Sequence, residues 1–268
     1  SIGSVATNSA RGLVADKTQP SRDTDAFSKI GKVGMGDLDI SDDGNKLWMV
    51  NLFDKRLYSI DITQYNQDGT TKPTANNVAS FPIPATCTGG EYRPWALKAY
   101  NGKVYVGGVC DAQTSNNKSN LRASVYEFDG TTFTQIFDFP LTYPKGYPAA
   151  AAPTITGWFP WTDDFATLLS PNTNLLRHPV PMFVDIEFDI DGSMVLGFGD
   201  RTGWQGGDFN YRPDNTSTAF FETNSQAGDI LRAFYANGTF VLENNAIAGP
   251  SDGYGNNNKQ GTGFGEFY

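Results

Sequence analysis

The chain has 268 residues, a formal net charge of −9, 29 glycines and 15 prolines. An acidic chain with no Lys/Arg cluster argues against a nucleic-acid partner, whose phosphates need basic patches. No apolar run approaches the roughly 20 residues that a membrane-spanning helix needs, so membrane insertion by this segment is not expected. Abundant Gly, Pro and Asn with almost no amphipathic helical periodicity favour many short strands, in one all-β domain or two smaller ones.

Residues 1–32 show no clear alternation and read as an extended N-terminal arm. From Gly36 to Ile62 the chain alternates in three short runs, Leu38 to Ile40, Leu47 to Leu52 and Arg56 to Ile62. They are broken by turns at Asp42-Asp43-Gly44 and Asp54-Lys55. Asp-Gly between alternating runs is a strong hairpin signal, because Gly accepts the positive φ of a tight turn. A fourth strand over Asn77 to Ile83 would complete a first four-stranded meander, about residues 36–84. One meander cannot bury both its faces, so it needs neighbours of its own kind.

Two further copies follow. A looser one begins at Pro94, with Asn101-Gly102 as its turn, and occupies about residues 91–140. The other, Val184 to Asp200, aligns without a gap from its own Asp191-Gly192: Asp185 on Asp37, Ile186 on Leu38, Glu187 on Asp39, Phe188 on Ile40. It occupies about residues 182–245. Between them, residues 141–180 form a long Pro-rich insertion with Tyr143, Tyr147, Trp158, Phe159, Trp161 and Phe165, expected to pack on its own domain, with packing on a partner as the alternative; Asp163 to Leu169 could form a short helix. A second insertion covers Arg201 to Gln226, and residues 264–268 resemble the opening of another inner strand.

Repeated four-stranded antiparallel meanders are the signature of a β-propeller. The expected fold is therefore all-β: a partial propeller over residues 33–268, with three blades, the start of a fourth and long loop insertions. Three blades do not close a ring of the usual four to eight, so the chain is expected to be a piece of a longer polypeptide, or to receive its missing blades from other chains.

The runs IGKVGMGDLDISDDGNKLWMVNLFDKRLYSIDI, CTGGEYRPWALKAYNGKVYVGGVC and RHPVPMFVDIEFDIDGSMVLGFGDRTGWQGG resemble the propeller region of very large bacterial cell-surface proteins. These occur in Bacteroidetes, cyanobacteria and similar groups, often with serine-aspartate-repeat-type B-like domains and sometimes with type IX secretion signals. The resemblance covers the chain from about Ile30 onward. It implies an exported, surface-attached protein at the bacterial cell surface, an adhesin with a surface glycan or protein as its ligand. It carries over no catalytic residue.

Asp37, Asp185 and Glu266 each open an inner strand, and converging carboxylates there could hold Ca²⁺, a hard cation, through oxygen ligands. Alternatively they cap strand ends, bond turn amides, or pair with Lys32 or Arg93. Glu91 echoes the motif around Asp37, although the count from Asn101-Gly102 places Trp95 there instead. Asp200, Arg201 and Trp204 lie in a polar Gly-rich loop that could bind a ligand or merely turn. Cys87 and Cys110 flank the inner strands of the second meander, where antiparallel pairing brings a disulfide within reach; two buried thiols are the alternative. A disulfide would point to an oxidising compartment. Asn117, Asn215 and Asn237 open glycosylation sequons of little weight in an Asn-rich chain. The single histidine, His178, excludes a His-based metal site, and no Gly-x-Ser-x-Gly elbow, P-loop or zinc spacing is present. The leading expectation is a non-enzymatic segment for adhesion or display. A lactonase-like propeller hydrolase with an axial metal and a purely structural spacer are the alternatives.

Overall fold

Local chemistry makes the hairpins. The computed structural model describes residues 1–65, 69–145, 155, 157–223 and 226–244. The first sheet runs in the order β1 (Met35–Ile40), β2 (Lys46–Asn51), β3 (Arg56–Asp61), β4 (Val78–Pro82). The second is β5 (Tyr92–Tyr100), β6 (Lys103–Cys110), β7 (Arg122–Phe128), β8 (Phe133–Pro140). After the insertion, with its short helix α1 (Phe165–Leu168), come β9 (Pro181–Phe188), β10 (Met194–Asp200) and the helix α2 (Arg201–Gly206). A two-stranded hairpin, β11 (Asn210–Tyr211) and β12 (Phe220–Phe221), precedes β13 (Asp229–Ala236) and β14 (Thr239–Leu242). The third sheet is β9-β10-β13-β14. Every ladder within these sheets is antiparallel, and among the described residues they form no closed barrel or ring.

Turn residues set the register. Asn101 and Gly102 have φ of 52° and 73°, and Asn237 and Gly238 have 52° and 84°, the paired left-handed conformations of a two-residue type I′ loop. Asn237 thus serves as a turn residue between β13 and β14. The Asp-Gly turns differ by one residue: Ile40 pairs with Leu47, whereas its counterpart Phe188 pairs with Met194. The two copies therefore match up to the glycine and slip by one beyond it.

All three inner strands bulge at matching places: at Gly36-Asp37 in β1, at Trp95 in β5 and at Val184 in β9. A bulge bends its strand and increases its twist. At the first of these the neighbours nearly touch, since a Cβ on Gly36 would lie 3.0 Å from the Trp95 carbonyl oxygen.

The core lies between the sheets. Trp48, Val50 and Leu57 of the first pack on Leu97, Ala99, Val104, Val106 and Phe128 of the second. The other face of the second sheet, through Tyr105, Val125 and Phe137, meets Phe183, Ile186, Met194, Leu196 and Leu231 of the third. Each fully buried aliphatic side chain contributes about 1.5–3 kcal/mol. The innermost strands gather at one side, where β5 lies against β1 and β9, and β1 also reaches β9. Trp158, Trp161 and Phe165 of the insertion are buried in the same core as the second and third sheets. Cys87 and Cys110 form a disulfide with their Cα atoms 5.5 Å apart, tying the segment before β5 to the end of β6.

Candidate functional site

Two polar constellations stand out. The first lies along the inner strands, where β1 faces the edge of β5. Each of two aspartates bridges its own strand and the next. Asp37 accepts Leu38 N–H on Oδ1 (2.8 Å) and Leu97 N–H on Oδ2 (3.1 Å). Asp39 repeats the pattern with Ile40 (2.8 Å) and Ala99 (3.0 Å). Asp42 then accepts Gly102 N–H at 2.7 Å. In all three contacts donor and acceptor are 60 residues apart, so the carboxylates of one repeat satisfy the edge amides of the next in strict register. Unpaired backbone amides at such an edge are costly, which gives the acidic positions a structural task.

Lys98 closes this row, with Nζ 3.6 Å from Asp39 and 2.8 Å from Glu187. Burial pushes the Asp37 carboxyl up to about 6 against the pull of its two amides, and the negative charges of Asp185 and Asp39 add to the rise. Asp185 is raised for the same first reason, with Glu187 next. The charge of Asp185 thus reaches Asp37, while Glu266 lies outside the described residues. Among the described residues no group of three His, Cys, Asp or Glu side chains is placed to hold a metal ion. Glu91 is engaged with Lys55 (2.6 Å) and Arg93 (3.1 Å), and Trp95 stands edge-on to Trp204.

The second constellation contains Asp200, Arg201 and Trp204. What reads in sequence as a Gly-rich loop is the end of β10 running into α2. Asp200 caps that helix, accepting Thr202 N–H and Val180 N–H at 3.0 Å each. Burial pushes its carboxyl up to about 7. Arg201 is fully buried. Its Nε donates to Ile30 O (2.9 Å) and its Nη1 to Thr162 O (2.6 Å), while Nη2 serves both Ser28 O (3.2 Å) and Asp163 (2.9 Å). The guanidinium also lies 4.5 Å from the centre of the Trp161 ring.

Asp163 completes the anchor. Burial would raise it, but bonds from Lys32 (2.6 Å), Gln113 (2.9 Å) and Arg201 outweigh that and hold it below the usual carboxylate range. Arg93 binds the fully buried Asp111 at 2.8 Å nearby. With its donors committed to three carbonyls and a carboxylate, Arg201 fastens the segment before β1 to the insertion and to α2. Only Trp204 of the three loop residues is exposed, at 54%. Asp163 and Asp111 were missed in sequence because their partners are far away along the chain; an acid beside Trp161 was the one local sign.

No protein-family model matches the chain. It is similar to Colossin-B of Dictyostelium discoideum, 28% identical over 263 residues, covering 90% of this chain and 6% of that protein. Colossin-A of the same organism is 30% identical over 215 residues, 74% of this chain and 2% of that protein. Colossin-D is 24% identical over 221 residues, 82% of this chain and 20% of its own length. The chain therefore spans a small fraction of the relatives it matches. These are eukaryotic proteins, which overturns the bacterial resemblance and, with it, the bacterial surface adhesin and the bacterial cell-surface location expected from it. Alternating runs broken by Asp-Gly and Asn-Gly turns carried that resemblance, and such runs report hairpins more than lineage. The disulfide remains compatible with an oxidising compartment. No described helix is long and apolar enough to cross a membrane.

Proposed function

We propose that the three meander sheets are successive blades of a propeller arc, and that this chain is an architectural module within a very long polypeptide rather than a catalyst. One observation carries the reading: β1 touches both β5 and β9 while the later strands of each sheet lead away from them in order. Flat sheets stacked about 10 Å apart would hold the first and third inner strands about 20 Å from each other. The polar groups of both constellations support the same reading, since they are consumed in joining one repeat to the next and in fastening the flanking segments. The domain plan follows: an arm over residues 1–32, then an arc made by the three sheets from Met35 to Leu242.

A cation between the inner strands is the second reading, motivated by the acidic residues Asp37 and Asp39 of β1 and Asp185 and Glu187 of β9, two inner strands in contact. Thermal melting with calcium and with chelator, together with turnover on lactone and glycoside panels, separates the two. The architectural reading predicts an unchanged midpoint and no turnover. A calcium-dependent rise lost in Asp37→Asn would establish the cation site, and lactone or glycoside turnover would overturn the architectural reading.

A further inference from the structure

A cavity of about 180 Å³ lies where the N-terminal arm meets α2 and the β11–β12 hairpin. Leu13 and Ser21 line it from the arm, and Trp204, Gln205, Asn210 and Tyr211 from the other side. Its walls are tied together, since Ser21 N–H donates to Asn210 Oδ1 (3.1 Å) and Tyr211 N–H to Ser21 O (3.0 Å). The volume is below the roughly 300–1,000 Å³ of pockets that enclose drug-sized ligands, so it has room for one small ring. Trp204 is exposed, although its neighbours Asp200 and Arg201 are buried and hold α2 fast. Its ring stands edge-on to Trp95, with the centroids 5.3 Å apart. A tryptophan fixed in place with open ring surface leaves a large apolar area in water, the mark of a binding surface.

The charges around the cavity are spent within the protein. Asp23, also on its wall, accepts Arg11 Nε on both oxygens and the N–H groups of Asp25 and Ala26. Arg22 donates to the carbonyls of Arg212, Asn215 and Ser217, and its guanidinium lies 5.4 Å from the centre of the Tyr211 ring. What remains is neutral. Among the described residues, the indole N–H of Trp204 and the hydroxyls of Ser21 and Tyr211 have no acceptor. Gln205 is only 9% exposed, and its Oε1 accepts no hydrogen bond. An open aromatic ring beside uncommitted neutral donors matches a ligand with an apolar C–H face and a rim of hydroxyls.

We infer that this cavity binds a neutral sugar ring, its C–H face against Trp204 and its hydroxyls bonded by those of Tyr211 and Ser21. Asp200 and Arg201 serve the site by holding α2 in place. A charged sugar is disfavoured, because no ionised side chain lining the cavity is left to pair with it. The site does not depend on how the three sheets are arranged, and it adds a ligand to the architectural reading.

Saturation-transfer NMR and titration of the chain with cellobiose, lactose and diacetylchitobiose test this, with glucuronate as the charged control. At least one neutral sugar is expected to bind saturably in roughly the millimolar range, its ring C–H protons receiving the strongest transfer. Trp204→Ala should weaken that binding at least about ten-fold. Tyr211→Phe keeps the ring and removes only the hydroxyl, and should weaken it about three- to ten-fold. Circular dichroism checks that both variants fold. No saturable binding of any of the three sugars at tens of millimolar overturns the site. So does binding that survives Trp204→Ala, or glucuronate bound as tightly as the neutral sugars. Spin-label distances and the calcium melt test the architectural reading separately, so a chain with fanned sheets that binds no sugar defeats this inference alone.

Discussion

Replacing Arg201 with methionine should be among the most damaging single changes in the chain. The guanidinium makes four hydrogen bonds, three of them to the carbonyls of Ser28, Ile30 and Thr162. Methionine refills much of the volume but leaves those carbonyls without their donor and removes one of the two cations beside Asp163. Breaking a buried ion pair by deleting one partner costs about 3–5 kcal/mol, a large share of the 5–15 kcal/mol typical of a domain. Arg201→Lys keeps the charge but not the planar fork and should lose about half as much. Urea unfolding followed by tryptophan fluorescence measures this, with an unchanged slope marking a true loss of stability. Because Asp163 shares the network, Asp163→Asn combined with Arg201→Met should cost less than the sum of the two. A loss under about 1 kcal/mol for Arg201→Met would refute the anchor.

Gly107→Ala places a Cβ 2.7 Å from the Phe183 ring, between the second and third sheets, and should lower stability by about 1–3 kcal/mol in the same assay. Reducing the Cys87–Cys110 bond, which spans 23 residues, should cost about 3 kcal/mol, read as a drop in thermal midpoint with reductant. His178, held down to about 4 by burial and by Lys118, stays neutral in the fold while the unfolded chain protonates near pH 6.5. Its contribution is therefore complete above pH 6.5 and is lost as pH falls towards 4; His178→Phe should flatten that part of the stability profile. Asp37 has the opposite sign. Its folded carboxyl keeps the proton up to about pH 6, so its contribution is present at low pH and lost as pH rises from about 4 to 6. Carboxyl NMR should give a midpoint near 6, and one at or below 4 would contradict the burial argument.

The hairpins were readable because each depends on a few adjacent residues. Asn101-Gly102 and Asp191-Gly192 announce their turns, and the strands either side follow by alternation. The fourth strand expected over Asn77 to Ile83 lies at Val78–Pro82, within the usual uncertainty of an element end. The bulges at Gly36-Asp37, Trp95 and Val184 were not readable, because an extra residue in a strand is defined by its partner strand. Nor was the anchor: Arg201 and Ile30 lie 171 residues apart, and in sequence an arginine among glycines looks like a surface turn. The acidic positions Asp37 and Asp185 are legible, and in sequence they admit a cation as well as the capping of strand ends and turn amides. The pairing of Asp37 and Asp39 with the amides of Leu97 and Ala99 depends on how two repeats lie side by side, which neither repeat encodes alone.

The central claim is that the sheets fan out from a shared axis, and distances between spin labels test it most directly. Labels at Ile40 and Ile190 report the inner ends of the first and third sheets, and labels at Val78 and Val241 report their outer strands; all four side chains are exposed. A fan predicts an inner distance markedly shorter than the outer one. Equal distances near about 20 Å, the separation of the outer layers in a flat three-sheet stack, would contradict it.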